Sequence, residues 1–103
     1  MTRTGKAWTV RDRYGNEVYL TWERWEHIID RHPIMEPFFD DIRLTIQRDK
    51  RWQDSLLPYK WFYVNWNVHG LEPDDNCIVV VVMFKPGSGW FVLTSYQDYW
   101  RER

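Results

Sequence analysis

His32 is the residue of this sequence best suited to move a proton, because an imidazole titrates near neutral pH. It lies in HIIDRHPIMEP, residues 27–37, where an apolar pattern with helical spacing stops against Pro33. A helix turns about 100° per residue, so His32 shares a stripe with Ile28 and Trp25 that faces a sheet or its edge. Two interpretations are open: the imidazole caps the carbonyl groups at the helix end, or it acts as a general acid or base.

Hydroxyl groups cluster in LTSY, residues 93–96, within the last predicted strand. Side chains alternate along a strand, so Thr94 and Tyr96 share one face and Ser95 takes the other. At most two of these hydroxyls can therefore join one site. Ordinary β propensity also explains Thr and Tyr here. No glycine-flanked serine elbow and no phosphate-binding glycine loop occur in the sequence, which disfavours a serine triad or a nucleotide-binding loop.

Two lysines stand alone among aromatic residues, Lys60 early in one predicted strand and Lys85 at the end of the next. They can contact phosphate groups, with Trp61, Tyr63 or Trp66 as surfaces on which unpaired bases stack. The alternative is that the lysines protect strand edges and that the aromatic rings belong to the core.

Metal binding is not predicted. His27 precedes His32 by five positions, about 140° around a helix, whereas a helical zinc site uses a spacing of four. His69 falls in a separate polar loop, and Cys77 is the only cysteine. We expect no metal and no cofactor.

The composition indicates one globular domain over residues 1–103, with 44% hydrophobic and 18% aromatic residues. Its longest aliphatic run, IVVVVM, is far shorter than the roughly 20 residues of a membrane helix, and no export signal is visible. We therefore expect a cytoplasmic protein without a membrane partner. The net charge of −1 gives no overall attraction to RNA, although residues 43–60 carry five basic and two acidic side chains. Some of the eight Trp are candidates for an oligomer interface.

The order of the predicted elements is β, β, α, α, followed by three or four strands. AWTVRDR and EVYL flank the turn YGN and form a hairpin. Thr21 is the N-cap of a helix from Trp22 to Arg31, and a second helix begins at Pro37 in PFFDDIRLTIQRD. The predicted strands are YKWFYVNWNV, NCIVVVVMFK and GWFVLTSY, the last two joined by the turn PGSG, and RWQDSL is a candidate for a further short strand. The predicted fold is α+β: two N-terminal helices packed on one antiparallel sheet of about four strands, preceded by a short β-hairpin.

Taken together, WEHIIDRHP, IRLTI, DSLLPYKWFYVNW, IVVVVMF and FVLTSYQ resemble the phage and toxin nucleases of the barnase/EndoU/colicin/RelE-like superfamily. The resemblance covers about residues 20–97. It implies a compact α+β fold and a metal-independent ribonuclease. It also implies RNA as substrate and an inhibitor or antitoxin protein as a further partner.

Position by position, the helix-end histidine of that superfamily matches His32, and the hydroxyl residue of its last strand matches Thr94. Tyr96 follows Thr94 as a substrate-binding candidate. Arg31, Lys60 and Lys85 are candidates for the positive charge that faces the phosphate. The sequence departs from the pattern in RDKRW, residues 48–52, which replaces a proline and acidic turn, and in its slightly acidic net charge.

The function implied is RNA cleavage in which the ribose 2'-hydroxyl attacks the adjacent phosphate and leaves a 2',3'-cyclic end. His32 acts as acid or base, and Thr94 donates a hydrogen bond to the phosphate. The alternative is a non-catalytic module of the same fold that binds RNA or a partner protein.

Overall fold

The computed structural model describes residues 3–101 and shows an α+β arrangement of two α-helices and one six-stranded sheet. The elements are, in chain order, β1 (Lys6–Arg11), β2 (Glu17–Thr21), α1 (Trp22–Arg31), a 3₁₀ helix (Pro33–Phe38), α2 (Phe39–Arg48), β3 (Arg51–Gln53), β4 (Lys60–Asn65), β5 (Cys77–Lys85) and β6 (Gly89–Asp98). Over the described residues, none of the helices has the length and apolar character needed to cross a membrane.

Helix α1 has the bounds predicted from the sequence. The Thr21 hydroxyl accepts the backbone N–H of Arg24 at 3.1 Å, so the predicted N-cap is confirmed. At the other end the backbone N–H of His32 donates to the Ile28 carbonyl at 2.8 Å, and Pro33 then begins the 3₁₀ helix. The helix therefore ends where the proline was expected to end it.

Helix α2 begins later than predicted. Pro37 was expected in its first turn, but Pro37 lies inside the 3₁₀ helix, and α2 starts at Phe39. The tighter 3₁₀ winding accommodates two prolines, neither of which can donate a backbone N–H. Asp40 and Asp41 occupy the first turn of α2, as the dipole of a helix favours.

The sheet is larger than predicted and is mixed instead of purely antiparallel. The order is β1-β2-β6-β5-β4-β3, and β2 pairs with β6 in parallel through Val18 with Trp90 and Tyr19 with Phe91. The hairpin that was expected to precede a sheet of about four strands is thus part of that sheet. All other strand pairs are antiparallel.

Strand β5 lies in the middle of the sheet and is buried on both faces, as its unbroken apolar run predicted. Its even-numbered residues Ile78, Val80 and Val82 belong to the core between the sheet and the helices, together with residues of α1, α2 and the 3₁₀ helix. Val79 and Val81 belong to a second cluster on the opposite face, where the partners are mainly aromatic. We call the first the helix face and the second the aromatic face.

A buried polar cluster joins the two ends of the sheet. Asp12, which directly follows β1, accepts a hydrogen bond from the Tyr63 hydroxyl and lies 3.7 Å from the Arg51 guanidinium. Arg51 begins edge strand β3 and stacks on Trp61 and Tyr14, with 4.0 and 4.4 Å between the guanidinium carbon and the ring centroids. The sheet therefore curls far enough for its first and last strands to meet.

Candidate functional site

A groove with a volume of about 650 Å³ lies between α1 and β6. It brings together four of the six site residues predicted from the sequence, two from the end of the helix and two from the strand. Its lining consists of Arg24, His27, Arg31, His32, Leu93, Thr94 and Tyr96. An imidazole, a guanidinium and hydroxyl groups from separate parts of the chain thus face one space.

The sheet topology places α1 beside β6. Strand β2 pairs with β6 only as far as Tyr19 and Phe91, and three residues after Tyr19 helix α1 begins. The helix then packs alongside the remainder of β6. Arg24, His27 and Arg31 follow one another at spacings of three and four, so they form one face of the helix along the groove.

A β-bulge at Leu93 decides which hydroxyls reach the groove. Val82 pairs with Val92, but the neighbouring Val81 pairs with Thr94, so Leu93 is an extra residue in β6. Strict alternation would place Val92 and Thr94 on the same face. Because of the bulge, Val92 points into the helix-face core while Thr94 lies on the aromatic face.

Beyond the bulge, side chains of β6 alternate regularly, and Thr94 and Tyr96 both lie on the aromatic face. Tyr96 pairs with Val79 on the aromatic face, and Ser95 points to the other face, where its hydroxyl is buried and donates to the Val79 carbonyl at 2.8 Å. The prediction that Thr94 and Tyr96 share a face is confirmed. Ser95 stabilises the strand pair and lies outside the groove.

The imidazole of His32 lies against the Tyr96 ring, with 5.9 Å between the ring centroids and 46° between the planes. The hydrogen bond at this helix end comes from the His32 backbone, and the side chain makes no capping bond to the 3₁₀ helix. Burial, reinforced by the charge of Asp98, raises the pKa of Tyr96 above its usual value. Tyr96 therefore remains a neutral phenol near neutral pH and can donate a hydrogen bond.

Two groove residues, Arg24 and His27, were not predicted. Arg24 adds a second guanidinium to that of Arg31, while His27 lies at the rim, with its Nε2 4.0 Å from Glu23 Oε1. His27 was considered only as a metal ligand paired with His32, for which its spacing is wrong. The signal that sequence reasoning missed is its spacing of three residues from Arg24 and four from Arg31, which places the three side chains on one face of α1.

Lys60 and Lys85 lie outside the groove. Lys60 is on β4, two strands from β6, and its Nζ lies 5.6 Å from the centroid of the Phe62 ring. Lys85 is exposed at the end of β5, opposite Gly89 in the hairpin. It is four residues, or about 13 Å of strand, beyond the Val81 position that pairs with Thr94.

The aromatic residues considered as base-stacking surfaces have separate locations. Tyr63 is completely buried and Trp61 is stacked against Arg51, so neither offers a free ring face. Trp66 instead lines a second pocket on the aromatic face.

Within residues 3–101, no three His, Cys, Asp or Glu side chains are grouped so that they could hold a metal ion. Neither a family model, nor a curated protein, nor a solved structure matches the chain. The resemblance to the barnase/EndoU/colicin/RelE-like superfamily stays a prediction.

Proposed function

We propose that the groove between α1 and β6 cleaves RNA without a metal ion. The ribose 2'-oxygen forms a bond to the adjacent phosphorus as the bond from phosphorus to the 5'-oxygen breaks, which leaves a 2',3'-cyclic phosphate and a free 5'-hydroxyl. One proton leaves the 2'-hydroxyl and one is delivered to the 5'-oxygen. The observation that carries this proposal is the single groove that contains His32, Arg31, Thr94 and Tyr96.

The roles follow from the chemistry of each side chain. The His32 imidazole exchanges a proton with the substrate as general base or general acid, a contribution of roughly 10²- to 10⁴-fold in rate. The Thr94 hydroxyl donates a hydrogen bond to a phosphate oxygen, and the Arg31 guanidinium balances the negative charge that develops on the phosphorane. Tyr96 contacts the His32 ring and holds it toward the groove.

His27 and Arg24 complete this proposal. The reaction needs both a base and an acid, and His27 is the second imidazole that lines the groove. His27 is therefore assigned as the partner of His32 in this acid–base pair. Arg24 adds a second fixed positive charge for the phosphate.

The test is incubation of the purified protein with labelled single-stranded RNA in EDTA. We expect cleavage, and a rate lowered by roughly 10²- to 10⁴-fold in His32→Ala. His69→Ala is the matched control, because His69 is an exposed histidine in the loop between β4 and β5. Absence of cleavage by the wild-type protein, or equal rates for wild type and His32→Ala, refutes the proposal.

A second candidate is a non-catalytic module that binds RNA or a partner protein. The observation in its favour is the second pocket, whose walls are aromatic side chains that remain partly exposed. This candidate predicts binding without any product, with a shallow salt dependence because few cations line the face.

A further inference from the structure

The second pocket on the aromatic face lies at the C-terminal end of the described chain and has a volume of about 310 Å³. Trp52, Trp66, Tyr99, Trp100 and Arg101 line it. The Trp52 ring meets Trp66 edge-on at 5.8 Å between centroids and Trp100 at 6.0 Å. Tyr99 is 68% exposed at the rim. The pocket is thus a cage of indole rings that is open to solvent on one side.

Hydrogen bonds within the chain hold these rings in place. The Trp66 indole N–H donates to the Trp100 carbonyl at 3.1 Å, and the Trp100 indole N–H donates to Asp98 Oδ2 at 3.2 Å. The Trp100 backbone is also fixed to the Asn76 side chain by two hydrogen bonds. Two of the three indole donors are therefore occupied, and a ligand would meet mainly ring faces.

One row of paired residues connects this pocket with the groove. Thr94 pairs with Val81, Val81 with Phe62, and Phe62 with Trp52. Thr94 belongs to the groove and Trp52 to the pocket, so the two sites stand at opposite ends of the same row. Three strand spacings separate them, about 14 Å along the sheet.

We infer that the aromatic pocket holds an unpaired base of an RNA strand whose phosphates extend along this row into the groove, an inference that rests on the proposed function. Every base has a π-face that stacks on indole rings, whatever its identity. Among the described side chains that line the pocket, only Arg101 is charged. Its positive charge repels a cationic ligand and attracts the phosphate next to a stacked base.

Lys60 lies beside the middle of the same row. It pairs with Met83, two positions along the strands from the pair formed by Phe62 and Val81, and its ammonium group faces the Phe62 ring. An RNA strand that extends from the groove to the pocket therefore passes Lys60 as well. Lys60 would therefore contact a phosphate between the groove and the pocket, and not the phosphate at which cleavage occurs.

A short 2'-O-methyl oligoribonucleotide tests the inference, because blocked 2'-oxygens prevent cleavage and leave binding alone to be measured. Fluorescence anisotropy gives the Kd for the intact oligonucleotide and for a series in which each position in turn is abasic. We expect one position, or two adjacent ones, at which loss of the base weakens binding by roughly fivefold to a hundredfold.

Tyr99→Ala should weaken binding of the intact oligonucleotide and reduce the penalty at that abasic position. Tyr59→Ala is the matched control, because Tyr59 is an exposed tyrosine that lines neither site. Arg101→Ala and Lys60→Ala should each reduce the slope of log K against log salt by about 0.7, as expected for one lost phosphate contact. Tyr99 and Arg101 are exposed, so their replacement leaves the fold intact.

Equal affinity for every abasic oligonucleotide overturns the inference, and so does a Tyr99→Ala affinity equal to that of the Tyr59→Ala control. Absence of measurable binding overturns it too. The cleavage proposal fails separately: a position-dependent abasic penalty in a protein that cleaves no RNA leaves the base pocket standing and removes the nuclease. If cleavage depends on His32 but no abasic position weakens binding, the nuclease proposal stands and the base pocket is refuted.

Discussion

Replacement of Asp12 by alanine should remove a large part of the stability of this fold. The Asp12 side chain is fully buried and accepts hydrogen bonds from the Tyr63 hydroxyl and from the backbone N–H groups of Tyr14 and Asn16. Its carboxylate also faces the Arg51 guanidinium, whose side chain is only 13% exposed. Asp12→Ala leaves that guanidinium and the phenol without their buried anion.

The expected loss is about 3–5 kcal/mol in the free energy of unfolding, the cost of removing one partner from a buried charged cluster. A domain of this size has about 5–15 kcal/mol in total. The melting temperature should therefore fall by roughly 12 °C or more. Urea unfolding followed by circular dichroism measures the free energy directly.

The pH dependence has a defined sign. Burial by itself raises the pKa of Asp12, but the hydrogen bonds from Tyr63, Asn16 and Tyr14 outweigh it and hold the pKa below its usual range. The ionised carboxylate therefore stabilises the fold fully above the unfolded-state pKa of about 3.9, and this contribution is lost as the pH falls through the lowered folded-state pKa. The stability difference between wild type and Asp12→Ala should shrink below about pH 4.

Asp54→Ala is the matched control. Asp54 also accepts two backbone N–H groups within a turn, those of Leu56 and Leu57, but at the surface and without a buried cation. Its replacement should cost much less. A loss below about 1 kcal/mol in Asp12→Ala, or a difference from wild type that does not change with pH, would show that the cluster does not hold the ends of the sheet together.

Two further predictions follow from the geometry of β5 and β6. Burial raises the pKa of the Cys77 thiol to about 11, so alkylation of the native protein at pH 8 should be slow and should become fast in urea; rapid native labelling would contradict the burial. Deletion of Leu93 removes the extra residue and makes Thr94 follow Val92 directly, so regular alternation should keep Thr94 and Tyr96 on the aromatic face and Ser95 toward the helix-face core. We expect RNA cleavage to be retained in the deletion variant as well as in Leu93→Ala, and loss of cleavage in a folded deletion variant would contradict this register.

Local signals in the sequence were sufficient for α1 and for the position of His32 at its end. Thr21, the apolar stripe and Pro33 act over a few residues, so the predicted helix from Trp22 to Arg31 is the observed one. The stripe also delivers His32 toward β6, as the helical projection indicated. Arg31 and His32 reach the groove from this helix end, whereas the bulge at Leu93 sets the face of Thr94 and Tyr96.

Long-range features could not be predicted in the same way. The parallel pairing of β2 with β6 joins segments about 70 residues apart, and no local pattern specifies it. The bulge at Leu93 depends on register with β5, which is a property of the pair and not of either strand.

The surroundings of individual aromatic residues also could not be predicted from local sequence. Trp61 and Trp66 lie in one continuous aromatic segment, yet Trp61 packs against Arg51 while Trp66 lines an open pocket. The difference depends on which residues from distant parts of the chain pack against each ring. Arg51 itself lies in the charged segment RDKRW and is enclosed by aromatic rings.

Whether His32 catalyses attack by a ribose 2'-hydroxyl is tested most directly with a DNA oligonucleotide that contains one ribonucleotide, incubated with the protein in EDTA. Mass spectrometry identifies the products. We predict cleavage only on the 3' side of the ribonucleotide, a 2',3'-cyclic phosphate on one fragment, and loss of both in His32→Ala. Cleavage of the all-DNA oligonucleotide, a product without the cyclic end, or an intact substrate after incubation with the wild-type protein would contradict the proposed function.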